Sequence, residues 1–135
     1  ATGAIVGLTL NGRPVAARTE RGYLTLTRTW REGDRLAFEL PLPVQRIHAA
    51  PELPSLAGRV ALRRGPLLYN LESVDQDLES VLAPDALLSA EWKADLLGGV
   101  TVIRGTLADG KPLQAVPNYA RLNRGGRSIV WLRER

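Results

Sequence analysis

The chain has 135 residues, 44% of them hydrophobic and 24% charged, with a formal net charge of +4. This is the length of one domain with one core, and the composition excludes disorder. It contains no Cys, which removes disulfides, thiolate metal sites and cysteine nucleophiles, and no apolar run approaches the ~18 residues of a membrane-spanning helix. It also contains no Met, so the sequence reads as processed or cut from a longer one. Nothing at the N-terminus has the pattern of a signal or transit peptide, which leaves the location as cytoplasmic or unknown.

The sequence pI is about 10.1. Basic residues predominate before residue 72 and after 95, acidic ones between, and no block of five or six like charges occurs. With aromatics at 5%, too few for a base-stacking platform, no nucleic-acid partner is expected, and no membrane partner either.

Taken in chain order, the dominant pattern is period two, the signature of strands with one face in a core. Ile5 to Leu10 reads as a strand ended by Asn11-Gly12, the strongest short hairpin signal, with Val15 to Arg18 as the return. Tyr23 to Arg28 alternates Leu24 and Leu26 with polar residues. Arg35 to Leu40 alternates Leu36, Phe38 and Leu40 with Arg35 and Glu39, and Trp30 to Asp34 reads as the hairpin link between these two runs. Val44 to Ala49, Arg59 to Arg63, Leu67 to Glu72, Val100 to Leu107, Leu113 to Val116 and Ile129 to Arg133 follow, with Gly65-Pro66 and Asp109-Gly110 as turns. Ser73 to Leu97 interrupts the pattern as a long acidic connection with a short helical turn at most. These strands predict one all-β domain over residues 1–135, an antiparallel β-sandwich of jelly-roll type. The expected core is Leu24, Leu26, Leu36, Phe38, Leu40, Val60, Leu62, Leu67, Tyr69, Val100, Val102 and Val130. On that reading Phe38→Ala costs roughly 3–5 kcal/mol.

Candidate chemistry is sparse. Glu72, Asp75, Asp77 and Glu79 are the carboxylates that could form an acid/base pair, yet all but Glu72 lie in a polar segment without desolvating neighbours. Asp75, Asp77 and Glu79 set oxygen donors at alternate positions that Ca²⁺ would accept, but the EF-hand spacing is missing and no metal is expected. His48 is the only histidine and lacks recognisable triad or zinc partners. Gly98-Gly99 lacks the spacing of a phosphate loop and reads as a turn. Trp30, Trp92 and Tyr119 are the candidates for a sugar-stacking surface, because a flat indole or phenol suits the C–H face of a sugar. In a small sandwich such rings are more often core or edge packing. Trp92, between Glu91 and Lys93, is the most exposed by context.

Four segments together carry a resemblance. They are Gly22-Tyr23 with Arg28-Thr29-Trp30-Arg31-Glu32-Gly33-Asp34; Val60-Ala61-Leu62-Arg63-Arg64-Gly65-Pro66-Leu67-Leu68-Tyr69 with Glu72; Leu97-Gly98-Gly99-Val100; and Pro117-Asn118-Tyr119-Ala120 with Asn123-Arg124-Gly125 and Val130-Trp131-Leu132. In this order the chain resembles, over roughly residues 8–133, the C-terminal β-sandwich region of the β-L-arabinofuranosidase-like glycoside hydrolases, a family long known only as a domain of unknown function. Asn118 and Arg121 stand where that family usually has Tyr and Trp. The resemblance implies that the chemistry sits in an N-terminal helical barrel, on a zinc-bound cysteine and glutamates, none of which has a counterpart here. It therefore implies a non-catalytic accessory domain that needs no cofactor and packs on the catalytic helical barrel of a parent enzyme; the alternative is a carbohydrate-binding module. A module separated from such a partner is expected to self-associate as a homodimer, through Ile5 to Leu10 or Ile129 to Arg133 as exposed edge strands or through the apolar face left without its partner.

Overall fold

The computed structural model describes residues 5–135 and is all-β; among the described residues the only helical turns are single 3-10 turns at Pro54–Leu56 and Asn118–Ala120. In place of the single domain expected, the chain divides into two compact units, one ending at Leu42 and one spanning Pro43–Arg135.

The first unit contains β1 (Val6–Leu10), β2 (Arg13–Pro14), β3 (Arg18–Glu20), β4 (Tyr23–Thr25) and β5 (Leu36–Glu39). Asn11 and Gly12 take φ of 52° and 76° and form the anticipated β1–β2 turn, left-handed at both positions. The same Asn11 side chain donates to Asp34 Oδ1 at 2.8 Å and accepts the Arg35 N–H at 2.8 Å, while Asp34 Oδ2 accepts the Arg31 N–H at 2.9 Å. These bonds dock the Gly33-Asp34 turn on the β1–β2 turn. As a result β5 pairs with β1, and β4 pairs with β3. The hairpin expected between Tyr23–Arg28 and Arg35–Leu40 does not form. The Asn11 bond, with help from the Arg31 amide and Arg28, also holds the Asp34 carboxyl below its ordinary pKa.

The second unit contains β6 (Val44–His48), β7 (Arg59–Arg64), β8 (Leu67–Glu72), β9 (Val81–Leu82), β10 (Ser89–Lys93), β11 (Val100–Thr106), β12 (Pro112–Pro117), β13 (Ser128–Ile129) and β14 (Leu132–Glu134). β7 and β8 pair only beside their turn, Arg63 with Leu68 and Arg64 with Leu67. Further along they separate, and the end of the chain fills the gap: β13 pairs with β8 and β14 with β7. Two arms result, β6-β7-β14-β9 and β10-β11-β12-β8-β13. All strand pairs among the described residues are antiparallel except β9–β14.

The core lies between the arms. Val60 and Leu62 of β7, Tyr69 and Leu71 of β8, Leu82 of β9, Ile103 of β11, Leu113 and Ala115 of β12 and Leu132 of β14 are buried in one cluster. A second cluster of Val100, Val102, Val116 and Ala120 covers the opposite face of β11 and β12.

Three expectations are corrected. The connection Ser73 to Leu97 holds no helical turn; it contains β9 and β10, short strands without β-branched alternation. β1 is the middle strand of its sheet and β14 lies between β7 and β9, so neither is an edge; of the two predicted segments only Ile129, in β13, borders a single strand, β8, and β10 is the terminal strand of its arm. The expected core is right for Val60, Leu62, Tyr69, Val100 and Val102 and half right for Leu67 and Val130, but Leu24, Leu36, Phe38 and Leu40 are exposed and Leu26 is only half-buried. Phe38 is 50% exposed. The reason is size: three strands and a hairpin cannot wrap a core of their own.

Phe38→Ala is accordingly expected to cost about 1 kcal/mol, the transfer energy of half a ring, and Leu62→Ala about 2–5 kcal/mol. Denaturant unfolding of both variants checks the order.

Candidate functional site

Alternation along β8 sends Tyr69 and Leu71 into the core and Asn70 and Glu72 to the other face, where both polar side chains are nevertheless fully buried. Asn70 is matched by Asn118, whose Oδ1 accepts its amide at 2.9 Å. Glu72 Oε1 accepts the Leu122 N–H at 2.5 Å and Oε2 accepts from Arg124 Nη2 at 2.6 Å. Arg124 also donates from Nη1 to Asp75 Oδ1 at 2.8 Å and from Nη2 to Asp75 Oδ2. Gln114 extends the network: its Nε2 donates to Asp75 at 3.0 Å, its Oε1 accepts from Arg104 at 2.8 Å, and its backbone N–H donates to Gln76 at 2.8 Å.

Two carboxylates thus share one guanidinium. The bonds to Asp75 raise the Arg124 pKa most; burial opposes them, and Glu72 adds to the rise. Both oxygens of Glu72 accept hydrogen bonds from the protein, and the side chain is fully buried. The network ties the segment after β12 to β8. It fixes Leu122 in a left-handed conformation, φ 61°, that a non-glycine residue enters only when held there. Residue-by-residue reading missed this pairing, although Glu72 and Arg124 both stand in the quoted motif segments.

The suggested calcium donors are not brought together. Asp75 faces Arg124, Asp77 caps the Glu79 N–H at 3.0 Å, and Glu79 pairs with Arg133 at 2.6 Å. Among the described residues no three His, Asp or Glu side chains converge as metal ligands. His48 has a partner after all: Nε2 lies 2.6 Å from Glu134 Oε2. Glu134 Oε1 also accepts from Arg46, whose Nη2 donates to the Ala83 and Ala86 carbonyls at 3.1 and 2.7 Å. This clasp fastens β14 to β6 and to the connection after β9. Burial alone would raise the Glu134 pKa, but the hydrogen bonds from His48 and Arg46 outweigh it and hold the carboxyl below 4.5.

The aromatic candidates are all on the surface rather than in the core. Trp30 is 50% exposed and carries the Arg28 guanidinium 5.4 Å from its ring centroid, so one face is taken. Trp92 and Tyr119 are 63% and 65% exposed. Gly98-Gly99 is a turn, closed by the Gly99 N–H to the Leu96 carbonyl at 2.8 Å.

Comparison with known proteins places this geometry. Residues 44–133 match the family model of the glycoside hydrolase family 127 C-terminal domain, and residues 3–42 that of the β-L-arabinofuranosidase family 127 middle domain. A non-reducing end β-L-arabinofuranosidase of Bifidobacterium longum subsp. longum is 36% identical over 102 residues, 71% of this chain and 16% of that protein. The crystal structure of a family 127 β-L-arabinofuranosidase from Geobacillus stearothermophilus T6 superposes with a TM-score of 0.82 at 35% identity, over 99% of this chain and 25% of that one. A second family 127 β-arabinofuranosidase gives 0.83 at 28% identity, over 98% of this chain and 23% of that one. The chain therefore spans between a sixth and a quarter of the length of these relatives.

Two outcomes follow from the charged clusters. Arg124→Met leaves the Glu72 carboxylate buried without its partner and is expected to cost roughly 3–5 kcal/mol; the double variant Glu72→Leu/Arg124→Met should lose less, as a double-mutant cycle in urea would measure. Because the Glu134 pKa is depressed on folding, its contribution is complete above 4.5 and is lost as pH falls through the folded value. Glu134→Gln should therefore flatten the acid limb of stability against pH, measured by thermal melts from pH 3 to 7.

Proposed function

We propose, from the premise that this chain belongs to glycoside hydrolase family 127 through its middle and C-terminal domains, that it serves as a non-catalytic accessory part of a β-L-arabinofuranosidase-type enzyme and packs against the catalytic portion. The observation that carries this reading is the open apolar face of the first unit. Leu36 and Phe38 lie on one side of β5, Leu40 continues the alternation just past its end, and Leu10 stands opposite Leu36 on the same side. Such a pattern suits a half-buried strand, yet 39%, 50% and 49% of these three residues is exposed. Contiguous apolar surface of this kind is a mark of an interaction site. A covering layer from the remainder of a longer enzyme satisfies the pattern. The carboxylates support the same reading, since Glu72 and Asp75 are committed to Arg124.

The test is an assay of the pure chain for release of arabinose from an aryl β-L-arabinofuranoside, with and without added Zn²⁺. No turnover is expected. Turnover that disappears in Glu72→Gln or Asp75→Asn would overturn the reading. In an intact enzyme, Phe38→Asp should lower the melting temperature far more than it does in the isolated chain.

A second reading, a carbohydrate-binding role, is favoured by one specific observation: the exposure of the Trp92 and Tyr119 rings.

A further inference from the structure

We propose that Trp92 is a fixed stacking platform for the apolar face of a sugar ring in a neutral oligosaccharide; this deepens the carbohydrate-binding reading and rests on it. β10 ends its arm of the fold and pairs only with β11, with Trp92 opposite Thr101. Half of its backbone N–H and C=O groups therefore point away from β11 and are available to hydroxyl groups.

The indole is held in place. Gly99 has φ 106°, and a Cβ there would lie 2.5 Å from Trp92 Cζ2 and 2.8 Å from Cη2. The ring thus rests against bare backbone, in space that any other residue at 99 would occupy. Position 101 is held as well: the Tyr69 hydroxyl, reaching across from β8, donates to the Thr101 carbonyl at 3.0 Å. A large exposed ring whose orientation is set in advance loses little rotational freedom on binding, which is how rigid aromatic anchors work in recognition surfaces.

The surroundings favour a sugar over a protein. Glu91 and Lys93 alternate to the opposite side of β10, paired with each other at 2.8 Å, and Arg104 lies 3.5 Å from Glu91. Ala90 is the other β10 residue on the Trp92 side. On the Trp92 side the strand offers one flat ring beside the small residues Ala90 and Thr101, with the charged residues on the reverse, and protein interfaces are built on a contiguous apolar core. A sugar ring needs one flat apolar surface with hydrogen-bonding groups at its margin.

The experiment is affinity electrophoresis of the full chain in gels containing soluble arabinan, arabinogalactan or xylan. At least one polysaccharide should retard the wild type. Trp92→Leu keeps bulk over Gly99 but removes the flat ring, and should weaken retardation at least tenfold with an unchanged melting temperature. Gly99→Ala, which displaces the indole without deleting it, should weaken retardation too, and Trp30→Ala should not. Absence of retardation by all three polysaccharides, or undiminished retardation of Trp92→Leu, overturns the proposal; if Trp92→Leu melts lower, Gly99→Ala decides, and its undiminished retardation overturns the proposal. If a catalytic-domain fragment of an intact enzyme, rather than a polysaccharide, is what retards the chain through Trp92, the ring is a protein contact and the proposal also fails. Failure of the proposal leaves the accessory reading standing, since that reading rests on the Phe38 face and the activity assay.

Discussion

Beyond Arg63 and Leu68 the strands β7 and β8 part, and the backbone groups they expose there must find other partners. The end of the chain supplies them, with Ser128 and Ile129 on β8 and Leu132 and Arg133 on β7. The core exists because of this arrangement. Parted strands carry Val60 and Leu62 on one arm and Tyr69 and Leu71 on the other, so that the two sets can close on Leu82, Ile103, Leu113 and Leu132. Had the hairpin stayed paired along its length, these residues would lie side by side on one sheet with one face to cover.

Two charged clusters hold the inserted segment. Glu72 grips the Leu122 amide and Arg124, which sets the path from β12 into β13. Glu134 grips His48 and Arg46, which secures β14 against β6. Each places a carboxylate where water is largely excluded, and each compensates the lost hydration with charge-assisted hydrogen bonds. Of the carboxylates that look most like glycosidase machinery in the sequence, Glu72 and Asp75 are both bound by Arg124.

The two units differ in what they accomplish alone. The second encloses its apolar residues on both faces of β11 and β12. In the first, no residue whose exposure is described is buried, although its strands carry the same alternating pattern. The hydrophobic energy encoded by Leu36, Phe38 and Leu40 is therefore not collected within that unit. That unmet pattern, more than any reactive group, is what the proposed accessory role rests on.

Much of the local structure was legible in the sequence. Alternation marked β4 and β5, short apolar runs between turn signals marked β1, β7, β8, β11 and β12, and Asn11-Gly12 and Asp109-Gly110 announced their turns, because strand faces and left-handed turn positions are properties of a few adjacent residues. The quoted motif segments identified the family. Tertiary structure decided the rest. Ser89-Ala90-Glu91-Trp92-Lys93 has almost no strand propensity of its own and is a strand because β11 offers it a free edge. Asn11 and Asp34 directed β5 to β1, a choice between partners that alternation does not express. Glu72 and Arg124 are 52 residues apart in sequence and meet only after β8 and the segment beyond β12 are in place. Alternation likewise determines that Phe38 and Leu62 each face away from the polar side of a strand, but not whether anything covers them. That depends on which layer packs opposite, and burial is settled by the whole chain rather than by the strand.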